Sequence, residues 1–243
     1  VALAAVQPLA KALEEQDAAD IFQEIEMPLV PVLASMERTG MYVDPDRLHA
    51  LAEGLGGQID ELAGRIRKMA GDETFNIASP MQLSHILFDA MGLPTKGLKK
   101  THRGYYSTNA RVLEELARDN EFVRLVLEYR EKTKIKSTYL DTLGALRRFD
   151  GRVHTTYNQT ITATGRLSSS NPNLQNIPTR SELGHTVKTA FSVAPGCVFL
   201  AVDYSQIELR LLAHLSADEH LVAAFNEGED FHAETAARVF GVP

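Results

Sequence analysis

Leu48, Leu51, Leu55, Ile59, Leu62, Ile66 and Met69 recur at alternating steps of three and four. That spacing draws one apolar stripe down a long α-helix, and such a stripe needs an antiparallel partner to cover it. Asp44-Pro45 opens the helix as an N-cap acid followed by proline at the first helical position, while Gly54, Gly56, Gly57 and Gly64 weaken it. The predicted partner is a helix from about Glu121 to Arg148 with Phe122, Leu125, Val126, Tyr129, Leu140, Leu143 and Leu146 as its apolar positions. Between the two, Ser79-Pro80 opens a shorter helix with Leu83, Ile86 and Leu87 inward and an end near Gly92, and Thr108 or Asn109 caps another. The pattern predicts a helical arm.

At 243 residues and 44% hydrophobic, the chain can bury a core in one or two domains. No run approaches the ~20 apolar residues of a membrane helix, and no basic start with an apolar signal core is present. Cys197 is the single cysteine, so no internal disulfide forms and a reducing cytoplasmic setting fits. The chain starts at Val1 and stops abruptly at Pro243, as expected of a piece of a longer protein. The net charge of −7 is uneven. Residues 1–53 hold three basic against ten acidic residues, whereas 96–148 hold thirteen against seven. A local positive block on an acidic protein suits a phosphate backbone, although many basic helix faces are merely solvated.

Residues 1–27 read as helix, with Leu9, Leu13, Ile21 and Ile25 as packing positions and Gly40 as the C-cap of the following run. After Asp150-Gly151 the period changes to two: Val153, Thr155, Tyr157 and Gln159 alternate with Arg152, His154, Thr156 and Asn158, as in a half-buried antiparallel strand. Thr162 to Arg180 is dense in Gly, Ser, Asn and Pro and reads as loop. Val198 to Val202 is a short apolar run of buried-strand type, ended by Asp203. Ile207, Leu211, Leu212 and Leu215 then follow helical spacing. Asp203 therefore stands at a strand end, open to solvent, where a carboxylate suits Mg²⁺. The alternative is structural: Ser205-Gln206-Ile207-Glu208 has the form of a capping box, and Asp203 that of a turn acid.

DYSQIELRLLAHLS, residues 203–216, resembles motif A of the family A DNA polymerases over its whole length. The resemblance implies that Asp203 binds both catalytic Mg²⁺ ions, that the Tyr204 carbonyl adds a ligand, and that Glu208 is the steric gate against a ribose 2′-hydroxyl. TATGRLSSSNPNLQNIPTR is similar to the family segment that lies in the minor groove near the primer terminus. There Arg166, Asn173, Gln175 and Asn176 offer donors to the purine N3 and pyrimidine O2 acceptors common to every base pair. Arg166 and Gln175 are expected to make that check. KGLKKTHRGYYST, with Lys96, Lys99, Lys100 and Arg103, resembles the thumb tip, and KIKSTY, with Lys134 and Lys136, the end of the thumb that meets primer and template phosphates. Residues 24–44 resemble the lead-in to the polymerase domain, and EGEDFHAETAARVFGVP, with His232, the approach to the fingers. GHTVKTAF matches less well, since His185 and Lys188 stand where relatives usually carry arginines.

The resemblance implies an α+β fold: helices over 1–43 packing on the palm, a helical thumb over 44–149, and over 150–243 an incomplete palm with an antiparallel sheet that ends before the fingers. It implies a monomer acting on primer–template DNA and deoxynucleoside triphosphates. Two-metal nucleotidyl transfer, for which polymerases are a type case, holds its cations about 3.5–4 Å apart between carboxylates. The family's second carboxylate, in a His-Asp-Glu turn, does not occur in these residues, nor does the Arg- and Lys-bearing fingers helix. The fragment alone is therefore expected to be inactive. Competing readings are a non-catalytic duplex-binding module, a single-subunit RNA polymerase relative, which would lack an acid at Glu208, and a scaffold whose palm fails to close.

Overall fold

The arm is an excursion between two short strands that pair with each other. The computed structural model describes residues 2–178, 181–194, 196–227, 236, 240 and 241. Helix α1 (Ala2–Glu15) is followed by α2 (Ala19–Ile21), which runs through a π-helical turn, Phe22–Glu26, into α3 (Met27–Thr39). Gly40 ends α3 with φ 64°, and its N–H donates to the Met36 carbonyl. A Cβ there would lie 2.8 Å from the His154 ring, so only glycine fits both the dihedral and the space. Strand β1 (Met41–Tyr42) then begins.

Helix α4 (Pro45–Ala70) starts as expected, with Asp44 Oδ1 accepting from the Asp46 and Arg47 N–H groups at 3.0 Å each. At ~1.5 Å per residue it is about 39 Å long, and Gly71 closes it in the left-handed region. Helix α5 (Pro80–Ser84) continues through a π-helical segment, His85–Ala90, and α6 (Ala110–Leu116) is capped by Asn109 rather than Thr108. Helix α7 (Glu121–Ile135) passes through a third π-helical turn, Lys136–Asp141, into α8 (Thr142–Leu146). Next come β2 (Arg152–Val153), β3 (Thr156–Asn158), β4 (Ser168–Ser170), α9 (Glu182–Lys188), α10 (Ile207–Ser216) and α11 (Glu219–Glu227). Strands β1 and β2 pair antiparallel with Met41 opposite Val153, and β3 and β4 pair antiparallel with Tyr157 opposite Ser169.

The long helix serves two cores. Its C-terminal half places Leu62, Ala63 and Ile66 against Phe75, Leu83, Leu87, Leu113 and Phe122. Its N-terminal half places Leu48 and Leu55 against Ile135, Leu140, Leu143, Val153 and Val187 at the base of the arm. Met69, expected in the seam, is exposed, because α7 begins beside Arg65, whose Nη2 lies 3.7 Å from Glu121, and leaves the last turn of α4 uncovered. Leu146 is exposed too, as the last residue of α8.

Two expectations are corrected. Leu9, Ile21 and Ile25 do not pack: Ile25 is 57% exposed, α1 buries no residue, and among the described residues no second layer covers that face. Val198–Val202 forms no strand, and Leu200 is 85% exposed. A strand is satisfied only by a neighbour, and among the described residues nothing pairs with this run. The chain divides into two compact units, residues 1–195 and 196–243. In the second, Asp218 Oδ1 caps α11 through the His220 and Leu221 N–H groups, and Arg210 stacks 4.8 Å above the Phe225 ring.

Candidate nucleic-acid interface

The loop after β4 is held from beneath. Thr155 and Ser169, only 6% and 4% exposed, face each other across the β3–β4 pair with their oxygens 2.6 Å apart. The Leu174 N–H donates to Ser169 Oγ at 3.1 Å, and Thr155 Oγ1 donates to the Pro172 carbonyl at 2.8 Å. Buried Tyr139, from the π-helical turn after α7, donates its hydroxyl to the Asn176 carbonyl. Burial pushes that phenol above its ordinary pKa, so it stays a donor. Leu174 and Ile177 turn into the core, which leaves Asn173, Gln175 and Asn176 exposed. Asn173 Oδ1 accepts the Gln175 N–H at 2.9 Å, so the amide nitrogen of Asn173 is its outward donor. Arg166 is exposed as well, and its carbonyl accepts from Thr162 Oγ1.

At the tip, a tight hairpin carries the cations. Lys100 and Tyr106 bridge antiparallel, and the Thr101 N–H donates to the Tyr105 carbonyl at 2.8 Å. Tyr106 anchors the hairpin by an edge-on contact with Phe88, centroids 5.2 Å apart, and by its N–H to Ser84 Oγ. Lys100 Nζ sits 5.0 Å above the Tyr106 ring. Lys96, Lys99, Lys100 and Arg103 are all exposed, and among the described residues none of them pairs with a carboxylate.

Lys134 lines two clefts. It lines a cleft of ≈ 630 Å³ with Thr108, Asn109, Thr133 and Ser137, and another of ≈ 1020 Å³ with Tyr139, Asn173 and Asn176. Thr133 Oγ1, in the first, is buried with no hydrogen-bond partner among the described residues. Lys100 and Arg103 line a separate cleft of ≈ 610 Å³ with Asp72, His85 and Asp89. Lys136 is half-buried, and its ammonium is held by Asp141 at 2.8 and 3.0 Å. Arg130 is likewise committed, donating to the Thr108 carbonyl at 2.6 Å, and burial lowers its pKa.

In the second unit, Asp203, Tyr204 and Glu208 are exposed. The helix does not start on Ser205: Gln206 takes the N-cap with φ 50° and no side-chain bond, while the Ser205 carbonyl accepts from Arg210 Nε at 3.0 Å. No three His, Cys, Asp or Glu side chains among the described residues gather where a cation could sit. Asp203 thus offers one carboxylate, less than a Mg²⁺ site by itself. His232 lies outside the described residues. The sequence reading missed Thr155, Ser169 and Tyr139 as parts of this surface. Thr155 gave a signal, being a hydroxyl on the inward face of an apolar alternation.

A helical arm set between the paired strands β1 and β2 thus carries exposed cations on one hairpin, and the loop after β4 carries exposed amides. The profile of DNA polymerase family A matches residues 45–243, and the chain belongs to that family. It is 50% identical over 224 residues to the thermostable DNA polymerase I of Thermus aquaticus, covering 92% of this chain and 27% of that one. With DNA polymerase I of Bacillus subtilis it shares 48% over 238 residues, 97% of this chain and 27% of the relative. With that of Chloroflexus aurantiacus it shares 49% over 226 residues, 92% and 24%. The chain therefore spans about a quarter of the length of these curated relatives. Among solved structures it resembles the polymerase domain of Pol1 from M. smegmatis in complex with DNA primer-template and dNTP. The TM-score is 0.86 at 42% identity, over 97% of this chain and 41% of that one.

Proposed function

We propose that this chain is the lead-in (1–43), thumb (44–149) and first part of the palm (150–243) of a DNA-directed DNA polymerase. The parent is read as a cytoplasmic monomer that extends primer–template DNA with deoxynucleoside triphosphates in replication and repair. Among the described residues no helix is long and apolar enough to cross a membrane. The observation that carries the reading is the cleft that Lys134 lines together with Asn173 and Asn176. It sets a cation for a phosphate beside donors for base edges, the division of labour a sequence-blind duplex binder needs.

In this reading Lys96, Lys99, Lys100 and Arg103 hold the backbone at the tip and Lys134 at the root. Arg166, Asn173, Gln175 and Asn176 test the minor groove, and Glu208 gates the sugar. Mg²⁺ would polarise the phosphoryl oxygens and lower the pKa of the attacking hydroxyl. Asp203 and the Tyr204 carbonyl are the groups here that would hold it, and a further carboxylate is required.

The chain alone should therefore bind duplex without extending it, which is also what a pure binding module would do. Binding of a fluorescent primer–template should weaken steeply as salt rises, and Mg²⁺ with all four deoxynucleotides should give no extension. Salt-insensitive or absent binding would overturn the duplex role, and processive extension would overturn the inactivity.

A further inference from the structure

Three hydroxyls from three separate segments converge on the backbone of one short loop. Tyr139 comes from the π-helical turn after α7, Thr155 from the residue before β3, and Ser169 from β4. They meet the loop at alternate residues: the Pro172 carbonyl, the Leu174 N–H and the Asn176 carbonyl. Contact at 172, 174 and 176 leaves the side chains of Asn173 and Gln175 directed outward, with that of Asn176 exposed beside them.

Proton counting gives the hydroxyl pair a direction. Each hydroxyl has one hydrogen to donate, and Leu174 can only give its own to Ser169 Oγ, at 3.1 Å. Ser169 then donates to Thr155 Oγ1 at 2.6 Å, and Thr155 donates to the Pro172 carbonyl at 2.8 Å. The other acceptors in reach are farther, the Ser170 carbonyl at 3.1 Å from Thr155 Oγ1 and the Pro172 carbonyl at 3.3 Å from Ser169 Oγ. The loop is thus gripped at an acceptor and a donor two residues apart. An apolar pair of the same shape would fill the β3–β4 interface but could bond neither the Pro172 carbonyl nor the Leu174 N–H.

We propose that Thr155, Ser169 and Tyr139 are positioning residues that fix Asn173, Gln175 and Asn176 in the register at which their amides meet the minor groove. The proposal rests on the duplex-holding role given above. It is tested in the 243-residue chain with Ser169→Ala, Thr155→Val and Tyr139→Phe, with Thr155→Ser as the conservative control. The measurements are anisotropy with a fluorescein-labelled primer–template at several salt concentrations and amide exchange at Leu174. Each hydroxyl-deleting variant should bind roughly three- to tenfold more weakly, on the scale of one lost hydrogen bond. The slope of affinity against salt should stay unchanged, because no phosphate-facing cation is removed. Leu174 should lose protection in Ser169→Ala, and Thr155→Ser should bind as the wild type does. If Ser169→Ala melts below the assay temperature, Tyr139→Phe, which deletes a single oxygen, decides instead. Equal binding by wild type and all folded variants would overturn this proposal alone. A wild type that does not bind duplex would overturn the duplex-holding role, and this proposal with it.

Discussion

The arm and the segment from Gly196 to Glu227 carry comparable apolar patterns and meet opposite fates. In the arm, Leu83, Leu87, Leu113, Val123 and Val126 reach complete burial because α4, α5, α6 and α7 all lie within one stretch of chain. Among the described residues of the second unit only Ala213 and Ala224 are buried, while Val198, Leu200, Val202 and Leu215 face solvent. The difference lies in where the complementary surface comes from. A helical stripe answered by another stripe nearby in sequence closes on itself, whereas an apolar strand needs an edge supplied by some other segment. Among the described residues, the second unit has no such edge.

The largest test of this contrast is a pair of core truncations. Phe122→Ala should cost about 3–5 kcal/mol, whereas Leu200→Ala should stay within about 0.5 kcal/mol, both read by urea unfolding of the chain. Comparable losses would erase the distinction between the regions. A sharper probe compares two glycines. At Gly184 a Cβ would fall 2.6 Å from the Pro178 Cβ and carbonyl, so Gly184→Ala should cost about 1–3 kcal/mol by overpacking. At Gly54, within α4, an added Cβ meets nothing within 4 Å, and Gly54→Ala should raise stability by up to about 1 kcal/mol through helix propensity.

Acid should act on the arm's base next. The Arg152 N–H, and then the His154 ring, hold the Asp150 carboxyl below its ordinary pKa. A depressed folded-state pKa contributes stability above the ordinary carboxylate range, and that contribution is lost as pH falls through the depressed value. Asp150→Asn should therefore lower stability at neutral pH and leave it little changed in acid, which flattens the acid side of the profile, as seen in thermal melts across pH. The smallest expected effect is at Lys136. Asp141→Asn releases its ammonium from the contacts at 2.8 and 3.0 Å. The release should tighten duplex binding about two- to threefold at low salt and have no effect at high salt.

How much was legible follows the same line. The Asp44, Ser79 and Gly40 boundaries and the inward positions Leu48, Leu55, Leu62 and Ile66 were readable, because caps and periodicity are local properties. The exposed faces at Leu9 and Ile25 were misread, since periodicity reports an apolar face and not whether anything covers it. The expected strand over 152–159 splits at His154–Thr155, and its halves take different partners, a choice made by residues 41–42 and 168–170 far away in sequence. The polar chemistry of the interface was visible as residue types. That Lys134 shares a cleft with Asn173 and Asn176 while Lys136 turns to Asp141 came only from the packing of the arm against the loop.

Because β1 and β2 sit at the two roots of the arm, their pairing joins positions such as Gly40 and Arg152, 112 residues apart, whose carbonyl and guanidinium meet at 3.1 Å. Closing a span that long from an open coil is entropically slow, but a folded helical hairpin returns the chain to its starting point and shortens the effective gap. During synthesis, β1 must therefore wait on the ribosome until the whole hairpin has emerged and collapsed. A misfolded arm would leave that strand edge bare.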